Sequence, residues 1–301
     1  MKLCAACSQA LPKEKFSKKQ WQLKQRRRCK ECILDNRELQ LETPDDAPPP
    51  PPPPCAGGEE DSEWTDEDLF KEPSEREECP ICLVPLPLSN EAIQYQSCCG
   101  KMICAGCIHA GAVDSRRLCP FCRTPEVSSA GEFMKRLKKR AEADDADAIY
   151  QLGGHYDSGG LDGLQQDSKK AVGLWLRAGN LGCAAAYHNL AVAYDNGRGV
   201  ERDMKKAKYY YELAAMGGNL SSRYNLGVVE RDAGNMNRAV KHWMIAARAG
   251  HDNSLQAIRV GFMHGIATKD DFEKALRAHK EVKDEIKSEQ REAANAFYSQ
   301  N

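Results

Sequence analysis

Residues 186–207 read AYHNLAVAYDNGRGVERDMKKA. Ala186, Leu190 and Tyr194 fall at helical spacing, Gly197 and Gly199 interrupt the helix, and Asp203, Lys206 and Ala207 open the next one. The pattern recurs. Lys170-Ala171, Lys206-Ala207, Arg238-Ala239 and Lys274-Ala275 lie 36, 32 and 36 residues apart, and four residues after each alanine stand Trp175, Tyr211, Trp243 and His279. Leu181-Gly182, Gly217-Gly218 and Ala249-Gly250 close successive units, and Tyr150, Leu152 and Tyr156 begin the first. A period of this length with alternating helix and turn signals means stacked helical hairpins, each packing on its neighbours. Alanine and glycine let paired helices approach, and the aromatics fill the space between them. The third unit is four residues shorter at its turn, ERDAGN, which reads as a trimmed loop.

The expected fold is therefore mainly α, with a C-terminal α-solenoid of about four units over residues 147–291, the last a degenerate cap. A lead-in helix over 130–146 precedes it, with Phe133, Leu137 and Arg140 on one face and Asp144–Asp147 offering caps for the next helix. The aromatics and alanines of this half read as packing, and no catalytic constellation stands among them. The repeats resemble Sel-one-like repeats, a tetratricopeptide-related family, through Ala186, Leu190, Tyr194, Gly197, Gly199, Val200, Asp203, Lys206 and Ala207. That resemblance implies a protein-binding scaffold.

Outside the repeats the composition changes sharply. The 301-residue chain is 41% hydrophobic and 29% charged, with 15 prolines and 14 cysteines. Residues 1–42 carry 11 Lys and Arg against 5 Asp and Glu, a net charge of +6, whereas residues 43–78 carry 2 against 13, a net of −11. Pro48–Pro54 followed by the acidic stretch suits a polyproline II spacer and disorder, so residues 43–78 read as a linker. The proline run also fits an SH3-type or WW-type ligand, and Trp64, Leu69 and Phe70 could form a short docking motif. No apolar run is long enough to span a bilayer, and the N-terminus lacks the apolar block of a signal peptide. The expectation is an intracellular protein, cytoplasmic or nuclear, with no membrane segment.

In a reducing compartment cysteines signal metal rather than disulfides. Residues 79–126 hold Cys79-Pro-Ile-Cys82, Cys98-Cys99-Gly-Lys-Met-Ile-Cys104-Ala-Gly-Cys107 and Cys119-Pro-Phe-Cys122. Each C-x-x-C presents two thiolates to one tetrahedral ion, and eight cysteines complete two zinc sites. This array resembles a RING finger, a cross-braced fold in which alternating pairs share a metal. The resemblance implies one zinc on Cys79, Cys82, Cys104 and Cys107, and a second on Cys119, Cys122 and the central pair. Where the family usually reads C-G-H, this chain has Cys99-Gly100-Lys101, and a protonated lysine does not ligate zinc. Cys98 beside Cys99 is the candidate replacement, giving an all-cysteine RING, with His109 the alternative.

A RING ligase forms no covalent intermediate; it orients a ubiquitin-conjugating enzyme for transfer. The resemblance assigns the enzyme contact to Ile81 and Pro120 in the knuckles and to Arg123 after the last cysteine, where a planar fork of donors suits the task. The same residues have a plainer reading, as knuckle-shaping groups and a solvated charge.

The N-terminal pairs Cys4-x-x-Cys7 and Cys29-x-x-Cys32 suit one further structural zinc, around a miniature core of Leu11, Phe16 and Trp21. The stretch LPKEKFSKKQWQLKQRRRCKEC (11–32) resembles the small zinc module of fungal heterochromatin adaptors. Its lysines and arginines would suit phosphate contacts, yet the adjoining acidic segment favours protein docking over nucleic acid. Cys55 and Cys183 remain unpaired; His188 near Cys183 reads as a packing or surface residue. Three functions stand: a RING-type ubiquitin ligase whose repeats hold a target, a non-enzymatic zinc-dependent adaptor, or a nucleic-acid-associated regulator.

Overall fold

The computed structural model describes residues 2–3, 10–11, 64–73, 76–88, 92–112, 118–160 and 163–299. The chain divides into two units, Met1–Ala47 and Pro48–Asn301. In the first, β1 (Lys2–Leu3) pairs antiparallel with β2 (Ala10–Leu11), Lys2 opposite Leu11. Cys4, Cys7, Cys29 and Cys32 lie outside the described residues, as do Cys55 and the proline run.

Among the described residues of the second unit, the first element is a short helix, α1 (Asp66–Leu69), inside the stretch read as linker. Thr65 and Asp68 close a capping box at its start, and Leu69 is buried. This part of the linker is ordered because Leu69 and Phe70 supply the apolar contacts that its acidic neighbours lack.

Next comes a compact finger. The hairpin β3 (Ile93–Gln96) and β4 (Lys101–Cys104) leads into α2 (Ala105–Ala112). Two knuckles flank it and share one backbone design. Leu83 N–H donates to Cys79 O at 2.9 Å and Cys79 N–H to Val84 O at 3.0 Å; Arg123 N–H donates to Cys119 O at 2.9 Å and Cys119 N–H to Thr124 O at 2.8 Å. Leu83 (φ 57°) and Arg123 (φ 61°) both adopt the left-handed conformation, so each knuckle turns its chain back immediately after the second cysteine. A small apolar cluster of Cys79, Leu86, Ile103, Cys104 and Cys107 is the finger's interior. It is far too small to hold such a fold by burial alone.

The remaining chain is helical. Ser129 caps α3 (Ala130–Glu142), which buries Met134, Leu137 and Ala141. Phe133 is only partly covered, its ring meeting His155 edge-on at 5.6 Å, and Arg140 turns toward the finger, so the buried face lies one residue round from Phe133. Four antiparallel hairpins follow: α4 (Ala146–Ser158) with α5 (Ser168–Asn180), α6 (Ala184–Asn196) with α7 (Met204–Met216), α8 (Leu220–Asp232) with α9 (Met236–Arg248), and α10 (Asp252–Met263) with α11 (Lys269–Glu285). Asp145, Asp167, Asp203, Asn219 and Thr268 each accept a backbone N–H at a helix start, satisfying donors that would otherwise be orphaned.

Close packing within hairpins rests on glycine opposite tryptophan. A Cβ at Gly227 would lie 2.2 Å from Trp243 Nε1, and one at Gly153 would lie 2.6 Å from Trp175 Nε1. The third hairpin joins its helices with Ala233–Asn235, where the second uses Gly197–Asp203. The shorter period is therefore a trimmed loop. The fourth hairpin leaves Met263, Leu276 and Phe262 exposed, with no further repeat packed on them among the described residues. Finally, α12 (Glu289–Tyr298) returns to the finger.

Among the contacts that fix the finger to the helices, two involve its hairpin and its helix. Tyr95 donates to Asp145 Oδ2 at 3.0 Å, while Arg140 Nε donates to Tyr95 Oη at 2.9 Å and to Asp145 Oδ2 at 2.8 Å. A side chain at Gly100 (φ 70°) would strike Arg140, so the tight turn after Cys99 also admits this contact. On the other side α12 packs on α2, with Gly106 against the Arg291 backbone and His109 against Phe297 at 5.0 Å between ring centroids.

Candidate metal centres

Two groups of four cysteines converge: Cys79, Cys82, Cys104 and Cys107 in one, Cys98, Cys99, Cys119 and Cys122 in the other. Within each, the four sulfur atoms lie within 4.8 Å of one another. Numbering the pairs along the chain, first meets third and second meets fourth. The hairpin makes this possible: its turn carries Cys98 and Cys99, while Cys104 ends β4 and Cys107 sits in α2. The strand from Lys101 to Cys104 spans roughly 10 Å at the rise of an extended chain, which sets Cys104 apart from the turn that carries Cys98 and Cys99.

The donor set fits a tetrahedral thiophilic ion. Zinc–sulfur bonds of about 2.3 Å place sulfurs about 3.8 Å apart. Cys82 and Cys104 sulfurs are 3.9 Å apart, and those of Cys98 and Cys122 are 3.4 Å apart. Both Cys98 and Cys99 reach the second group. His109 does not, since its ring is held between Phe297 and Tyr298 on α12. Lys101 points outward, its Nζ 6.0 Å from the Phe121 ring.

The thiols also suit a cation. Burial raises the Cys79 pKa, but backbone N–H groups of Cys104, Cys82 and Ile81 outweigh it and bring the thiol down to about 7. At Cys122, burial is likewise outweighed, chiefly by Thr124, which brings it down to about 6. Burial and neighbouring sulfurs instead push Cys98 and Cys107 up. One thiolate therefore forms readily in each group and opposes the next, a conflict that a bound divalent ion resolves.

Around the first group lies a feature without a sequence signal. Arg291, buried in α12, donates through Nη1 to Pro85 O at 2.8 Å and Ile286 O at 2.7 Å, and through Nη2 to Val84 O at 3.2 Å and Cys82 Sγ at 3.7 Å. Cys107 donates to Gln290 Oε1 at 3.9 Å. The knuckle is thus held by the far end of the chain.

The residues assigned to enzyme contact sit on the outer surface of the knuckles. Ile81 is 39% exposed, Pro120 is half-buried against Gly111, and Arg123 is exposed. Leu83 and Phe121, at 68% and 44% exposure, add apolar surface that the spacing of cysteines did not single out. Cys183 is separate from both groups: burial raises its thiol to about 11, and it lies 3.9 Å from Asp147 Oδ1. His188, which burial lowers to about 4, bonds Ser222 rather than this thiol.

The comparisons bear on the helical half. The Sel1 repeat family matches residues 146–183, 184–219 and 220–251, the first three hairpins. The C-terminal region is a solenoid of Sel1 repeats. The ERAD-associated E3 ubiquitin-protein ligase component HRD3B of Arabidopsis thaliana is 32% identical over 112 residues, which cover 37% of this chain and 17% of that protein. Two solved structures are similar: a Sel1 repeat protein from Oxalobacter formigenes (26% identity, TM-score 0.45, covering 51% of this chain and 64% of the other) and c5321, a protective antigen of uropathogenic Escherichia coli displaying an SLR fold (28%, 0.44, covering 50% and 33%). No helix among the described residues is long and apolar enough to cross a membrane.

Proposed function

We propose that the protein is a RING-type ubiquitin ligase: an all-cysteine finger receives a ubiquitin-conjugating enzyme and the Sel1 repeats hold a target protein. The observation that carries this reading is the interleaving of four cysteine pairs into two tetrahedral-sized groups, with Ile81, Pro120 and Arg123 displayed outside them. Zinc, when bound, supplies rigidity to a region with little apolar interior. Everything else falls to the chain. Ile81 and Pro120 offer apolar contact to the enzyme. Arg123, exposed just after the last cysteine, offers donors that restrain the thioester-linked ubiquitin. The reaction is accelerated by orientation alone. Cys4, Cys7, Cys29 and Cys32 would hold a third zinc in a module that docks a separate protein, and the setting is intracellular.

A second reading has its own support. The curated relative is named as a component of a ligase, which favours a zinc-dependent adaptor that delivers targets to a ligase carried elsewhere. Incubation of the intact protein with a panel of conjugating enzymes, ubiquitin and ATP separates the two. Ubiquitin chains that form with the wild type and are lost in Ile81→Ala and Arg123→Ala establish the ligase. A zinc-loaded protein that is silent with every enzyme in the panel establishes the adaptor.

A further inference from the structure

Residues 64–73, the described part of the acidic segment ahead of the finger, do not trail into solvent. They are seated on the repeats, across α7, α8 and α9, as a peptide ligand would be. Arg223 of α8, 1% exposed, donates through Nη1 to the backbone carbonyl of Leu69 and through Nη2 to those of Lys71 at 3.4 Å and Ala215 at 2.8 Å. Leu69 is 1% exposed beside it. The Phe70 ring meets His242 at a 45° tilt, 4.7 Å between centroids, with Arg238 and Lys241 at 5.2 and 5.0 Å from its centre. Arg238 also pairs with Asp66, Lys241 lies 4.0 Å from the same carboxylate, and Arg248 pairs with Glu72 at 3.0 Å.

Each element of this seat recognises a different feature. Arg223 reads main chain and so fixes the path of the peptide without regard to sequence. The buried Leu69 and the cation-flanked Phe70 select a Leu-Phe pair. Arg238, Lys241 and Arg248 select flanking acids, and buried Glu230 orients Arg238 at 3.4 Å from its Nε. The contacts made by the acids are at the surface, where Asp66 and Glu72 are 55% and 57% exposed, so each adds modestly to affinity, and reversing a charge there replaces a weak attraction with a repulsion. Arg223 is covered by the segment it binds, so an occupant replaces water on the guanidinium with two main-chain carbonyls, of Leu69 and Lys71.

We propose that this seat is the target-recognition site of the repeats, that its ligand is an acidic segment bearing an adjacent Leu-Phe pair on a partner protein, and that residues 66–72 are a built-in competitor for it. This rests on the reading that the repeats hold a target. A tethered competitor acts at an effective concentration on the order of millimolar, so a partner must outcompete it, and free peptide binds the intact chain weakly.

The test is fluorescence anisotropy of a labelled peptide of residues 63–72 added to the full-length chain. Leu69→Ala/Phe70→Ala, which weakens the internal occupant, is expected to raise peptide affinity at least tenfold over wild type. Adding Arg238→Glu/Lys241→Glu should abolish the gain, and a peptide carrying Phe70→Ala should not bind. A full-length Asp66→Lys chain, altered only at an exposed side chain, provides a second route should the double variant unfold. It should bind the peptide several-fold tighter and exchange amide hydrogens faster over residues 66–72. Equal affinity of wild type and Asp66→Lys, or equal binding of the Phe70→Ala peptide, would overturn the proposal. Neither conjugating enzyme nor ubiquitin is present, so silence in the ubiquitination assay leaves this result standing, and the reverse.

Discussion

Arg291 Nη2 lies 3.7 Å from Cys82 Sγ, although 209 residues separate the two. The helix that ends the described chain thus stabilises the knuckle that begins the finger, and the same guanidinium closes on the carbonyls of Val84, Pro85 and Ile286. A point charge on a flexible stem cannot make these bonds together; a planar fork can.

Arg291→Ala is expected to destabilise the fold by about 2–3 kcal/mol, because it strands partly buried carbonyls and removes charge-assisted bonds. Arg291→Lys should recover little of this. Chemical denaturation measures the loss. Chelator challenge should show metal leaving the Cys79 group faster while the Cys98 group keeps its rate.

Gly227 and Trp243 set a second expectation. A methyl group at position 227 would fall 2.2 Å from the indole nitrogen, which itself donates to Tyr224 O at 3.2 Å. Gly227→Ala should cost about 1–3 kcal/mol through overpacking. The tryptophan emission should shift with it, and Gly154→Ala, where nothing lies within 4 Å, serves as the unclashed control, which helix propensity should make slightly stabilising.

Acid should unfold the repeats partly through histidine. Burial, reinforced by the Arg223 charge, lowers His242 to about 3, and burial lowers His188 to about 4. Unfolded histidines titrate near 6.5, so between that value and the folded one the unfolded chain binds more protons. Their contribution is complete above about pH 6.5 and is lost as pH falls toward 4 and 3, on the order of several kcal/mol for the pair. Melting temperatures at pH 7 and 5 should therefore differ less in His242→Phe than in the wild type. An unchanged difference would exclude His242 from the effect.

Much of this architecture was legible from local pattern. The Lys-Ala and aromatic spacing located the hairpins, and the trimmed turn at Ala233–Asn235 was visible as a short period. The eight cysteines pointed to two sites, and the resemblance to a RING finger implied which pairs share each of the groups that the backbone assembles. What escaped were contacts with no local period. Arg291 sits in a helix whose sequence says nothing of Cys82, and Arg223 occupies a position that a hairpin pattern would give to an apolar residue. That misfit, a cation beside buried Ser222 on an inward face, was the one available signal that the repeats hold something outside themselves. Trp64, Leu69 and Phe70 did suggest a docking motif; the acidic composition concealed that its seat lay in the same chain.

Metal content tests the account at its root. Purified under reducing conditions, the full-length protein should carry at least two zinc ions by elemental analysis, and X-ray absorption should show sulfur ligands alone. Cys98→Ser should cost one ion, whereas His109→Gln should cost none. A protein without stoichiometric zinc, or one that loses an ion with His109 and keeps it without Cys98, would contradict the assignment of the two centres.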